Sequence, residues 1–371
     1  MKEDFKKFIL TVSILAGTII GVGFFSLPQV TNMVGWGIII GYFIILGGLT
    51  LLIHLLFGEV ALATPDFLRL PGYAKVHLGE KGKKVALATM ILGTYGSLLA
   101  YLIIGGKFIA GLNLPLINNN EFLATLLYFA LGTVLIYFGI NPIAKIDFWS
   151  LILMILVFVI ILISGAPSFK IENLSLTANF SKIFLPYGPI LFSLWGVSMI
   201  PEIEEMLGKN KKALKKVIIA SLLFTAVIYL VFMLLVVGIS GSQTSEDAIS
   251  GLKGFISDKI LSLGLFLGIV TTFTSFIALG LTIKKVFAYD FKIKPFMAFI
   301  LSVSIPLILF LLGFQDFLKT ISLVGGVMLG VEGTLILLMY KKVKPEKRIL
   351  IYPLILVFLG GILYEITSFL R

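Results

Sequence analysis

Apolar positions in this chain neither alternate nor gather on one helical stripe; they continue through whole turns in every direction. Eleven such stretches, at 8–34, 36–60, 84–112, 122–140, 146–165, 183–207, 214–240, 260–286, 295–313, 316–340 and 349–369, are interrupted by few charges. Each holds roughly 20 residues or more, which at about 1.5 Å per residue crosses a bilayer core as a helix. The longest polar connections are 61–83, 166–182 and 241–259, and none is large enough for a soluble domain. The pattern predicts an all-α integral membrane protein of 11 transmembrane helices forming a single domain over 1–371.

The apolar pattern is weakened at two places. In the first stretch Gly17, Gly21 and Gly23 precede Pro28; in the sixth, Pro186 and Pro189 come before Trp195-Gly196-Val197 and Pro201 follows. Glycine loosens a helix and proline removes one of its hydrogen bonds, so both stretches are expected to be broken near the middle. A single glycine pair in a membrane helix reads equally well as a close-packing surface. Here the two interruptions are about 174 residues apart, and the third and eighth stretches, like the ends of the fifth and tenth, keep nearly the same offset. That spacing predicts an inverted repeat, 8–166 against 183–341, with 349–369 as an added eleventh helix. An odd number of spans in each half gives the halves opposite orientation. Opened backbone at membrane depth is tolerated where it lines a polar cavity. Its free amides and carbonyls, with the half-helix dipoles, suit the carboxylate and ammonium of an amino acid.

Composition agrees: 58% of residues are hydrophobic, 13% are charged, and the mean hydropathy is +1.09. The net charge of +11 changes the picture only through its distribution. Lys2, Lys6, Lys7, Arg69, Lys75, Lys81, Lys83, Lys84, Lys145, Lys209, Lys211, Lys212, Lys215 and Lys216 all fall on one side of the predicted spans. So do Lys284, Lys285, Lys292, Lys294, Lys341, Lys342, Lys344, Lys347 and Arg348, while Lys170, Lys182, Lys253, Lys259, Lys319 and Arg371 fall on the other. The positive-inside rule then puts the N-terminus in the cytoplasm and the C-terminus outside, in a multi-pass cell-membrane protein. The basic charge orients the chain and implies no nucleic-acid partner. The N-terminal stretch continues through Phe24, Phe25 and Leu27 without a small-residue cleavage site, so it reads as a span and not as a signal peptide. Asn173 and Asn179 head N-x-S sequons, read as chance matches. With no cysteine, disulfides, thiolate chemistry and cysteine-held metals are excluded.

The segment Gly17-Thr18-Ile19-Ile20-Gly21-Val22-Gly23-Phe24-Phe25-Ser26-Leu27-Pro28 resembles the first-helix signature of the amino acid/polyamine/organocation superfamily. Phe192-Ser193-Leu194-Trp195-Gly196-Val197-Ser198-Met199-Ile200-Pro201-Glu202 resembles the sixth helix of the amino acid/auxin permeases. Thr274-Ser275-Phe276-Ile277-Ala278-Leu279-Gly280-Leu281 is similar to the eighth helix of the hydroxy and aromatic amino acid permeases, the tryptophan/tyrosine permease branch. The resemblance implies a leucine-transporter-type 5+5 inverted repeat with helices 1 and 6 broken, and a cation-coupled symporter of amino acids working by alternating access. It implies that amides of Val22 and Gly23, with Thr18 and Gly21 beside them, hold the substrate carboxylate. Carbonyls such as those of Ile19 and Phe192 would meet its ammonium, and Ser193, Tyr101, Trp195 and Gly196 would line the remainder. Tyr101 and Trp195 read equally as packed aromatics. A sodium site would pair the Thr274 and Ser275 hydroxyls with carbonyls of Gly17 and Ile20, although such hydroxyls commonly bond back to the preceding turn. The branch is mainly proton-coupled, so the coupling ion stays open between proton and sodium; no cofactor is implied.

Intramembrane charges are functional candidates by default. Glu59, Asp147 and Glu202 lie near span ends, where pairing with the basic loops is expected, and Lys107 is expected to snorkel outward. Glu332 and Glu365 lie deeper. Glu332 is the proton-relay candidate, set against a structural hydrogen bond, and His54 reads as a packing histidine with its ring nitrogens satisfied. Two histidines and no H-E-x-x-H leave little for a membrane enzyme. A divalent-metal transporter of this fold would need an acid in the first break and a methionine in the sixth, where Gly21-Val22-Gly23 and Trp195-Gly196 stand. A nutrient sensor would be expected to carry a soluble tail, and the chain ends soon after its last span. The particular amino acid and the oligomeric state are not encoded in any feature above.

Overall fold

The computed structural model describes residues 2–115, 117–139, 144–174, 178–208 and 210–370, the side chains of 2–4, 144–151, 154, 162, 348 and 350 excepted. Lys209 and Arg371, and the side chains of Lys2, Lys145, Asp147 and Arg348, thus lie outside the described residues. The described chain is helical almost throughout. In order, it forms α1 (Lys2–Ile19), α2 (Leu27–Val34), α3 (Trp36–Ala63), α4 (Leu70–Gly111), α5 (Glu121–Phe138), α6 (Ala144–Gly165) and α7 (Tyr187–Ser193). It continues through α8 (Ile200–Leu207), α9 (Lys211–Ser240), α10 (Asp258–Lys285), α11 (Pro295–Leu311), α12 (Phe317–Leu323), α13 (Leu329–Val343) and α14 (Arg348–Phe369).

Among the described residues, seven helices are long and apolar enough to cross a membrane, eight if the bent α1–α2 pair is one span. Of the remaining expected spans, 146–165 is α6, 295–313 is the 17-residue α11, and 183–207 divides into α7 and α8, each too short to cross alone. The third span starts earlier than hydropathy suggests. Helical structure begins at Leu70, in a lysine-rich turn that no apolar window detects, and Gly79, at φ 77°, bends the chain before the membrane segment. Several starts follow local capping chemistry: Asn120, Asn210 and Asp316 accept hydrogen bonds from the amides of Leu123, Ala213 and Lys319. Between α12 and α13 one π-helical turn, Val324–Met328, widens the helix.

Packing places the short helices inside the long ones. α10 lies against α4, α5 and α6; α13 lies against α3, α4 and α14; α1 and α2 lie along α9. α7 sits between α3, the π-helical turn and the turn joining α1 to α2, so both interruptions fall in the middle of the bundle. Ion pairs tie the ends. At the basic end Arg69 meets Glu202 at 2.5 Å and Lys211 meets Glu59 at 3.8 Å. At the opposite end Lys107 pairs with Glu246 at 2.5 Å, so the expected snorkelling lysine has a partner.

Candidate functional site

α1 stops at Ile19, and α2 leaves at 55° to it. Between them the Ile20 amide still donates to the Ala16 carbonyl (2.8 Å), the Gly21 amide turns back to the Ile19 carbonyl (2.8 Å), and Val22–Ser26 form a single 3₁₀ turn. α7 stops at Ser193. Leu194, Trp195 and Gly196 are non-helical, and a 3₁₀ turn over Val197–Met199 leads into α8, which opens with Pro201 near its N-terminus.

The two interruptions touch, and glycine is what lets them. A Cβ on Gly23 would lie 2.6 Å from both Cδ1 of Phe192 and Oγ of Ser193, and one on Gly196 would collide with the side chain of Ile19. Of the residues singled out in the sequence, Ile19, Gly21, Val22, Gly23, Tyr101, Phe192, Ser193, Trp195 and Gly196 therefore converge on one place. Thr18 does not: it is exposed on α1 and donates to the Ile14 carbonyl at 2.9 Å. Thr274 and Ser275 both donate to the Thr271 carbonyl, at 3.0 and 3.1 Å, the backbonding alternative weighed for them. Their helix packs on α4, α5, α6 and α11, whereas Gly17 and Ile20 belong to a segment packed on α9.

Side chains from three long helices engage the opened backbone. From α4, the Tyr101 hydroxyl accepts from the Val22 amide at 3.3 Å. From α9, the buried Tyr229 hydroxyl lies 3.0 Å from the Ile19 carbonyl and 2.9 Å from that of Ser193, bridging the ends of α1 and α7. From α3, the buried His54 accepts the Gly196 amide on Nε2 at 3.0 Å, while its Nδ1 meets the Thr50 carbonyl at 2.7 Å. Glu332 accepts from Trp195 Nε1 at 3.1 Å. Beyond these, Phe24 stacks on Tyr229 with ring centroids 5.8 Å apart, in a cluster with Phe25, Phe158 and Phe232. Glu365, also buried, accepts the Gly188 amide at the start of α7 from the added helix α14, at 3.2 Å.

Sequence reasoning missed Tyr229. The available signal was a lone phenol in the apolar run 217–239, since a tyrosine at that depth needs a partner for its hydroxyl. His54, read as a satisfied packing histidine, is indeed buried with both ring nitrogens hydrogen-bonded, and one of its partners is backbone of the second break.

The fold matches MhsT, solved in complex with L-phenylalanine, with a TM-score of 0.59 at 14% identity over 95% of this chain and 98% of that one. It also matches Mhp1, a nucleobase-cation-symport-1 family transporter solved closed with bromovinylhydantoin bound, at 0.62 and 16% identity over 91% and 78%. The chain belongs to the tryptophan/tyrosine permease family, whose pattern it matches over residues 4–366. It is accordingly a multi-pass membrane protein of a permease family, not of an enzyme family. Tyrosine-specific transport system 1 of Haemophilus influenzae is 25% identical over 229 residues, which are 62% of this chain and 57% of that protein.

Proposed function

We propose that the protein is a secondary transporter of aromatic amino acids, coupled to a cation and working by alternating access. The observation that carries this reading is the meeting of the two breaks, where amides of the first and carbonyls of both lie within one side chain's reach of each other. An amino-acid carboxylate replaces the Tyr101 oxygen at the Val22 amide, and its ammonium competes with Tyr229 for the carbonyls. Phe24, Phe25, Phe192 and Trp195 surround the place with aromatic surface suited to an aromatic side chain. Family membership, a relative named as a tyrosine transport system and a structural neighbour holding L-phenylalanine support the substrate class. Uptake of radiolabelled L-tyrosine, L-tryptophan and L-phenylalanine into proteoliposomes tests it; accumulation of none of them under any imposed gradient overturns it.

The same reading assigns α1 to α6 and α7 to α13 as inverted halves of five spans, each opening with its broken helix, and α14 as the added eleventh. It puts the basic end in the cytoplasm. Cysteine placed at Lys212 of this cysteine-free chain is expected to resist an impermeant maleimide in right-side-out vesicles and to react once they are permeabilised. Ready labelling of sealed vesicles inverts the orientation.

For the cation, the back-bonded hydroxyls favour the proton over sodium. Thr274→Ala combined with Ser275→Ala is expected to keep uptake driven by a pH gradient within about twofold of wild type, because each removes only a local bond to the preceding turn. Parallel uptake under separate sodium and pH gradients checks this. Sodium-driven uptake that disappears in the double variant restores the hydroxyls as a sodium site.

A further inference from the structure

Trp195 and Gly196, consecutive residues of the second break, are each held by a titratable group. Glu332 lies near the middle of the span Phe317–Val343 and takes the Trp195 indole N–H; His54, on α3, takes the Gly196 amide. The His54 and Trp195 rings meet edge-on with centroids 5.9 Å apart.

The partners fix the state of the imidazole. The Thr50 carbonyl can only accept, so Nδ1 carries a proton; the Gly196 amide can only donate, so Nε2 carries none. A second proton on the ring would abolish the acceptor and free the Gly196 amide. Glu332 engages a neutral donor and forms no ion pair among the described residues. A carboxylate at membrane depth in that setting loses its charge most simply by taking up a proton. It is half-buried, as is Trp195.

Several other titratable groups on the helices packed against α13 are engaged elsewhere. Glu59 on α3 is met by Lys211 and by the Tyr340 hydroxyl at 3.4 Å. On α4, Tyr101 receives the Val22 amide and Tyr95 donates to the Leu301 carbonyl. On α14, Glu365 receives the Gly188 amide, the Tyr364 ring packs tilted against that of Phe184, and Tyr352 receives Lys341. From α9, Tyr229 faces the Ile19 and Ser193 carbonyls.

We propose that Glu332 is the site that binds the coupling proton, and that His54 is the positioning residue that keeps the α7–α8 break closed until the proton arrives. A proton from water forms an O–H bond on the Glu332 carboxylate, which becomes a neutral acid and a weaker acceptor for Trp195 Nε1. The indole is released, the adjoining Gly196 amide leaves His54, and the break is free to change shape. The O–H bond breaks when the proton passes to water on the other side. This rests on the reading of the chain as a cation-coupled transporter.

The test is accumulation of radiolabelled L-tyrosine in proteoliposomes under a pH gradient, set beside counterflow exchange, which needs no net proton movement. Glu332→Gln is expected to lower accumulation at least about tenfold while retaining at least about a third of the exchange, the pattern of a lost proton relay. Accumulation by the variant equal to wild type overturns the inference and leaves transport itself standing; so does wild-type accumulation driven by sodium alone. A wild type that moves none of the aromatic amino acids overturns the transport reading first. Should Glu332→Gln not be recovered as folded protein, Trp195→Phe decides, since it keeps the carboxyl and removes its donor. That change is expected to displace the pH midpoint of accumulation by about half a unit or more, and an unmoved midpoint overturns the inference. For His54, the glutamine variant, which still offers an acceptor, is expected to support exchange that the leucine variant does not. Equal exchange by the two removes His54 from the proposal.

Discussion

Gly23→Val is expected to lower affinity for L-tyrosine by roughly 100-fold or more, from the loss of two charge-assisted hydrogen bonds of about 1.5–3 kcal/mol each. The added carbons have nowhere to go. Phe192 Cδ1 and Ser193 Oγ lie 2.6 Å from the position of the first of them, and Ser193 Oγ is itself fixed by donating to the Pro189 carbonyl at 2.7 Å. Relief requires the end of α7 to move away from the Val22–Ser26 turn, which separates the amides of one break from the carbonyls of the other. Each helix can still form its own backbone bonds, so insertion into the membrane is expected to survive. Equilibrium binding in detergent, with chromatographic monodispersity as the control for folding, checks this. A well-folded variant with wild-type affinity rules out the amide cradle.

Tyr229→Phe is expected to cost about 1–3 kcal/mol of stability, the penalty for leaving a buried acceptor without its donor, and to reduce uptake about tenfold. The hydroxyl has one proton and two carbonyls within reach, so it can satisfy only one of them at a time. The carbonyl left over is the natural first contact for an arriving ammonium. Loss of the hydroxyl unties the end of α1 from the end of α7, while the phenyl ring can keep its stacking on Phe24. Thermal melting of the purified variant, measured beside initial uptake, tests both parts. A variant that melts and transports like wild type shows that the bridge across the breaks is incidental.

The long apolar stretches were legible because a membrane helix must be apolar on nearly every side, and α3, α9 and α10 follow them closely. The breaks were legible for a different reason: Gly21, Gly23, Gly196, Pro28 and Pro201 weaken helices whatever surrounds them. What could not be read was the set of side chains that answers the opened backbone. Tyr229 lies 210 residues from Ile19 and His54 lies 142 from Gly196, and no local pattern records a pairing over such distances. Thr274 and Ser275 show the converse. Their spacing permits either a cation site or bonds to the turn before, and only the placement of α10 between α4, α5 and α6 separates the two.

The π-helical turn at Val324–Met328 resets the phase of the span Phe317–Val343. A π turn takes in one residue more than an α turn, and one residue in an α-helix corresponds to about 100° of rotation. A helical wheel drawn straight through Phe317–Val343 is therefore correct for α12 and misphased for everything after it. Drawn that way, Glu332 is displaced from the face that meets Trp195 by more than a quarter of a circle. The extra residue works as a phase shifter: it lets one continuous span show Gly325, within the turn, to α7 and a carboxyl group, beyond the turn, to the second break.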